Sequence, residues 1–116
     1  MRSTIDVDRL RELRGVMIFD SADDSIGTID EIFYDEATTR PLWVGVAADR
    51  PGTSRMLLPL EAASIGDGGL TLPYTKEYVR RAPAGAGGIG RLRERQLRAY
   101  YGLAPRDPSG DIRSLT

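Results

Sequence analysis

The stretch Ile26-Gly27-Thr28-Ile29-Asp30-Glu31-Ile32-Phe33-Tyr34-Asp35-Glu36-Ala37-Thr38-Thr39-Arg40-Pro41-Leu42-Trp43-Val44-Gly45-Val46 decides the fold. β-Branched and aromatic residues crowd both ends, and a polar, Pro-ended turn at residues 36–41 separates them, which reads as strand, turn, strand. In the second half Leu42, Val44, Val46 and Ala48 alternate with Trp43, Gly45, Ala47 and Asp49, the period of a strand with two different faces. In the first half the alternation breaks. Ile26, Ile32 and Tyr34 share one parity, and Ile29 and Phe33 the other. A β-bulge near Asp30-Glu31 would bring Ile29 onto the face of Ile32 and Tyr34.

Outward from that hairpin the same grammar continues. Val16–Asp20 reads as a first strand, followed by a polar turn at residues 21–25. Arg50-Pro51-Gly52-Thr53 turns into a fourth strand over residues 55–60, which Pro59 places at an edge or at its own end. Asp67-Gly68-Gly69 turns into a short fifth strand, Leu70-Thr71-Leu72. Five short strands at this spacing predict a small, strongly bent sheet or barrel. Asp6 to Leu13 reads as a short helix before them, N-capped by Asp6 and stopped by Gly15. After them Thr75 is a natural N-cap, with Tyr74 and Val79 at the positions of a hydrophobic staple and Pro83 as terminator. Residues 84–90 are Gly-rich and read as a linker. Residues 91–101 read as a helix stopped by Gly102, and residues 104–116 as a polar, disordered tail.

Composition narrows the function classes. The chain has 116 residues, no Cys and no His. Disulfides, Cys/His zinc sites, thiol nucleophiles and Ser-His-Asp triads are therefore excluded. No apolar run approaches a membrane span, and Met1-Arg2-Ser3-Thr4-Ile5-Asp6 lacks the apolar stretch of a secretory leader, so a cytoplasmic location is expected. Charge is uneven: residues 1–78 carry 8 basic and 14 acidic side chains, and residues 79–116 carry 8 basic and 3 acidic. An acidic body with a basic arm is the result.

Several of these segments together resemble the PRC-barrel domain family. Leu13-Arg14-Gly15-Val16, Asp20 with its acidic turn, and Ile26-Gly27-Thr28-Ile29-Asp30 are similar to its opening strands. Residues 35–44 are similar to its turn into the third strand, with Thr39 where a Gly is usual. Leu57-Leu58-Pro59-Leu60 and Tyr74-Thr75-Lys76-Glu77-Tyr78-Val79-Arg80-Arg81-Ala82-Pro83 resemble its fourth strand and closing helix. Tyr100-Tyr101-Gly102-Leu103 resembles the ending of some stand-alone bacterial members. The resemblance implies a mainly β fold: a PRC-type barrel of five to six short strands, with a short N-terminal helix, a closing helix and a separate C-terminal helix. Its boundaries fall at an arm over 1–12, a barrel over 13–83, a linker over 84–90, a basic helix over 91–103 and a tail over 104–116. It also implies a scaffold that binds macromolecules, with no catalytic residues common to the family.

The chemistry-bearing patterns each have a plainer reading. Gly85-Ala86-Gly87-Gly88-Ile89-Gly90 fits a dinucleotide fingerprint, but a helix and Pro83 precede it where a strand is required. Asp20, Asp23 and Asp24 lack the spacing of a calcium loop and read as a solvated hairpin turn. Asp30, Glu31, Asp35 and Glu36 offer an acid/base pair only if their environments differ, and strand alternation separates neighbours. No catalytic residue, cofactor or metal ligand is therefore expected.

The candidate partner contacts are Trp43, Arg91, Arg95, Arg98, Tyr100 and Tyr101. Trp43 faces away from Leu42, Val44 and Val46, so it is either an outward interface anchor or is buried under a terminal helix. Arg91, Arg95 and Arg98 share one helical face, either solvated or docked on an acidic partner or a nucleic acid. Tyr100 and Tyr101 either stack on bases or pack with Ile89, Leu92, Leu97 and Leu103 against the barrel. The expectation is a non-enzymatic adaptor that binds a protein partner as a homodimer. The alternative is an RNA- or ribosome-associated factor that contacts phosphates through the Arg helix.

Overall fold

The computed structural model describes residues 11–47, 55–66, 68–83, 89–106 and 110–115. Seven strands occur among them: β1 (Met17–Phe19), β2 (Ser25–Asp35), β3 (Pro41–Val46), β4 (Met56–Pro59), β5 (Ser64–Ile65), β6 (Leu70–Thr71) and β7 (Ile112–Leu115). They form one curled sheet of order β4-β3-β2-β1-β6-β5, with β7 paired to β2. All pairings are antiparallel except that of β1 with β6. Two helices follow β6: α1 (Lys76–Arg80) and α2 (Arg91–Tyr100).

β2 organises the sheet. Its first residues pair with β1, the stretch Ile29–Tyr34 pairs with β3, and Ile32–Asp35 also pairs with β7. The β2–β3 register shifts between Ile29 and Glu31, where the broken alternation called for a bulge. Ile26, Ile29 and Ile32 are all buried as a result. A second shift, between Phe33 and Tyr34, was not expected; it buries Phe33 and leaves Tyr34 half-buried. Gly27 and Gly69 mark close approaches at positive φ. A side chain at Gly27 would strike Val46, and one at Gly69 would overlap the Met17 carbonyl.

Two expectations are corrected, and the N-terminal helix is described only at its end. Near the N-terminus the described residues form a 3₁₀ turn at Arg11–Leu13, and the rest of the expected helix lies outside them. The Asp20 turn is not simply solvated. Asp20 is 3% exposed, and its carboxylate accepts from the Ala22, Asp24 and Lys76 amides, tying the β1–β2 turn to the start of α1. The tail is not uniformly disordered, because residues 112–115 are β7. Ile112 and Leu115 pack against the core, and Arg113 and Ser114 bond Glu36 and Glu31, so partners distant in sequence order a segment with no strong pattern of its own. Of the expected linker, residues 84–88 lie outside the described residues, while Ile89 is a core residue. The turn at 50–53, Ala48 and Asp67 also lie outside them.

α1 begins as expected: the Thr75 hydroxyl accepts from the Tyr78 amide at 3.1 Å, and Val79 is buried. α2 ends at Gly102, whose φ of +74° is the left-handed stop that Gly supplies.

Candidate interaction surface

Every candidate contact read from the sequence lies on α2, just after it, or directly beneath it. Trp43 does face away from the Leu42 side of β3, but that face is not open. α2 covers it, and Trp43 is 1% exposed. Of the two readings of Trp43, burial under the C-terminal helix is the one the structure takes and the outward anchor is corrected, because the same face takes Leu97 and Tyr101, which are 0% and 3% exposed. The Trp43 and Tyr101 rings lie 6.2 Å apart.

The cover is fixed by polar contacts. The Trp43 indole N–H donates to Glu94 Oε2 at 3.4 Å. Arg106 clamps the same carboxylate through Nε at 2.9 Å and Nη2 at 3.0 Å, and its Nη1 reaches Asp35 Oδ2 at 3.1 Å. Asp35 is 1% exposed and also accepts from the Ala37 and Thr38 amides. Burial pushes the Asp35 carboxyl up, but those amides and the Arg106 guanidinium outweigh it and hold its pKa below the usual aspartate value. Asp35 is thus a saturated structural carboxylate. Asp30 and Glu31 pair with Arg55, and Glu36 with Arg113, so the four acidic residues of this region hold the sheet together.

A tyrosine layer completes the seam between α1 and α2. The Tyr101 hydroxyl donates to the Leu57 carbonyl at 2.7 Å, and the Tyr74 hydroxyl to the Tyr101 carbonyl at 2.7 Å. Tyr78 and Tyr100 stack at 4.4 Å, each hydroxyl donating to the other's carbonyl. Burial, with the neighbouring tyrosines, pushes the Tyr101 phenol well above its ordinary pKa. Tyr101 is thus part of the core and unavailable to a base, while Tyr100 keeps a half-buried ring.

The Arg face also divides. Arg98 is 7% exposed; it pairs with Glu61 at 2.9 Å and donates to the Ala104 carbonyl, so it is spent inside the molecule. Arg91 and Arg95 stay exposed, one turn apart, with no ion pair among the described residues. Leu92 does not pack inward as expected. It is 66% exposed, on the outer side of α2 beside those two cations.

Arg106 was invisible in the sequence, because it sits in a polar, Pro-flanked segment with no periodicity. The one available signal was Glu94, an acid inside an Arg run, which first reads as relief of repulsion along the helix.

No curated protein matches this chain. A family model for the PRC-barrel domain matches residues 5–79, well over half of the sequence. The match ends inside α1, so α2, the Arg106 segment and β7 lie beyond it. The curled β2-centred sheet, the capped closing helix and that match together establish that the chain belongs to the PRC-barrel domain family.

Proposed function

We propose that this chain is a non-enzymatic adaptor that binds a protein partner through the outer side of its C-terminal segment. PRC-barrel domains are small binding modules, which supports the class. The observation that carries the reading is the division of α2: Trp43, Arg98 and Tyr101 are consumed inside, while Leu92 stands 66% exposed beside Arg91 and Arg95, which have no ion pair among the described residues. An apolar residue rimmed by cations is the pattern of an interaction face. The buried carboxylates Asp20 and Asp35 are saturated with donors, which supports structural rather than acid/base roles for them.

Self-association as a homodimer belongs to the same reading. β5 is an outer strand of the sheet, and Ile65 on it is 90% exposed, the kind of edge at which a second copy adds. Light scattering at about 100 μM is expected to show a dimer that Ile65→Lys dissociates; a monomer contradicts it.

The test of the adaptor reading is recovery of the tagged chain from its native cells, with and without nuclease, beside a Leu92→Glu variant. Specific proteins that survive nuclease and are lost from the variant are expected. Partners indifferent to Leu92, or none, would contradict the reading. Exposure of Arg91 and Arg95 at i, i+4 favours a second reading, an RNA-associated factor. With Arg98 spent, two phosphate contacts would give a salt slope of only about 1.4 on a single strand.

A further inference from the structure

We propose that Tyr78 and Tyr100 form an oxidative cross-linking site, at which a one-electron oxidant joins the two rings as dityrosine and ties α2 covalently to α1. The inference goes beyond the adaptor reading and does not depend on it. Tyr78 lies on α1 and Tyr100 ends α2. Their ring centroids are 4.4 Å apart and their planes 22° from parallel, the closest ring contact among the described residues. Each hydroxyl donates to the other residue's carbonyl, so the rings stack head to tail. The carbons beside each hydroxyl, which carry the unpaired spin of a tyrosyl radical, therefore lie against the partner ring rather than past its end.

Access and competition single out this pair. Tyr78 is 39% exposed, with Tyr100 half-buried beside it, while Trp43 and Tyr101 are buried. Tyr101 stands edge-on to Tyr100, and Tyr74 stacks on Tyr78 at the longer distance of 5.6 Å. The chain has no Cys to be oxidised first and none to tie the segment by a disulfide. The step balances as follows. Each tyrosine gives one electron to the oxidant and its phenolic proton to water. The two radicals pair their electrons in a bond between ortho carbons. Each of those carbons then releases its hydrogen as a proton while the oxygen takes one back, which restores both phenols. In all the chain loses two electrons and two protons, and two equivalents of oxidant are reduced. The product joins residues 22 apart and, like a disulfide, restricts the unfolded chain, so it holds the closing segment over Trp43.

The test oxidises the full chain with photoexcited tris(bipyridine)ruthenium and persulfate, then reads intact mass and digested peptides. Rings in contact meet at an effective concentration of at least about 1 mM, roughly 10³ above a 1 μM solution of chains, so about 1 μM protein favours coupling within the chain. Expected is a monomer lighter by two hydrogens whose cross-linked peptide joins Tyr78 to Tyr100. Tyr78→Phe and Tyr100→Phe, which keep the rings, should each cut that yield about tenfold or more, and Tyr34→Phe should not. The parent oxidised in unfolding urea should lose the preference for this pair, which keeps the test decisive if a variant does not fold. A cross-link that maps to another pair, product that forms only between chains, added oxygen without a cross-link, or an undiminished yield from Tyr78→Phe would each overturn the site. The cross-linked chain should also need more urea than the parent before acrylamide quenches Trp43; an unchanged midpoint would overturn its tie to the closing segment.

Discussion

The barrel and the C-terminal segment that closes it are held by different forces. The barrel core is apolar: Ile18, Ile26, Ile29, Ile32, Val44, Val46 and Leu58 are all at most 1% exposed. The closing segment, residues 89–106 and 110–115, buries Ile89, Leu97 and Tyr101, but its position is set by the Glu94–Arg106–Asp35 ion network, the Trp43 N–H and the tyrosine hydroxyls. Apolar burial is non-directional and tolerant of small shifts, whereas a buried ion pair is intolerant of losing one member. The segment should therefore be the more brittle of the two regions, and single polar changes should release it while the sheet survives.

The sharpest break is Arg106→Ala. It leaves Asp35 and Glu94, 1% and 6% exposed, without their cation. A loss of about 3 kcal/mol in urea unfolding is expected, at the lower end for such pairs because the Arg106 head is itself 19% exposed. Replacing Asp35 and Glu94 by Asn and Gln in the same protein should recover part of it.

Acid makes the same break reversibly. The folded pKa values of Asp20 and Asp35 are lowered. Burial pushes each up, but amide donors outweigh it, aided by Lys76 for Asp20 and by Arg106 for Asp35. The stability they contribute is therefore complete above the ordinary aspartate pKa and is lost as pH falls through the folded values. Thermal melts should be flat from about pH 8 to pH 5 and drop below about pH 4. Asp35→Asn should show a shallower acid limb than the parent.

Tyr101→Phe is milder. It removes one hydroxyl and leaves the Leu57 carbonyl without that donor, at a cost of about 1 kcal/mol. The smallest effect belongs to the barrel and has the opposite sign. Thr39 sits at φ +57°, a left-handed position that a β-branched residue occupies under strain. Thr39→Gly should stabilise by about 0.5–1 kcal/mol, the relief of that strain less the extra unfolded-chain entropy of Gly.

The same division explains what could be read without the structure. In the barrel each residue's environment follows from neighbours two places away, so even the β2 bulge was legible from the changed parity at Ile29. Thr75 and Gly102 were legible because caps are local. The closing segment depends on partners far off in sequence: Arg106 lies 71 residues from Asp35, and Ser114 lies 83 from Glu31. No period links such pairs, so β7 reads as a polar tail in the sequence. For the same reason Arg98 and Trp43 were readable as outer-face residues, although one is paired with Glu61 and the other lies under α2.

Trp43 is the only tryptophan, and the segment covers it, so its emission reports closure directly. The decisive measurement is acrylamide quenching of the native protein at neutral pH beside Arg106→Ala. The account predicts blue-shifted, poorly quenched emission in the parent, and red-shifted, quenchable emission in the variant before the sheet unfolds. Red-shifted, freely quenched emission from the folded parent would contradict it, because α2 would then not cover β3.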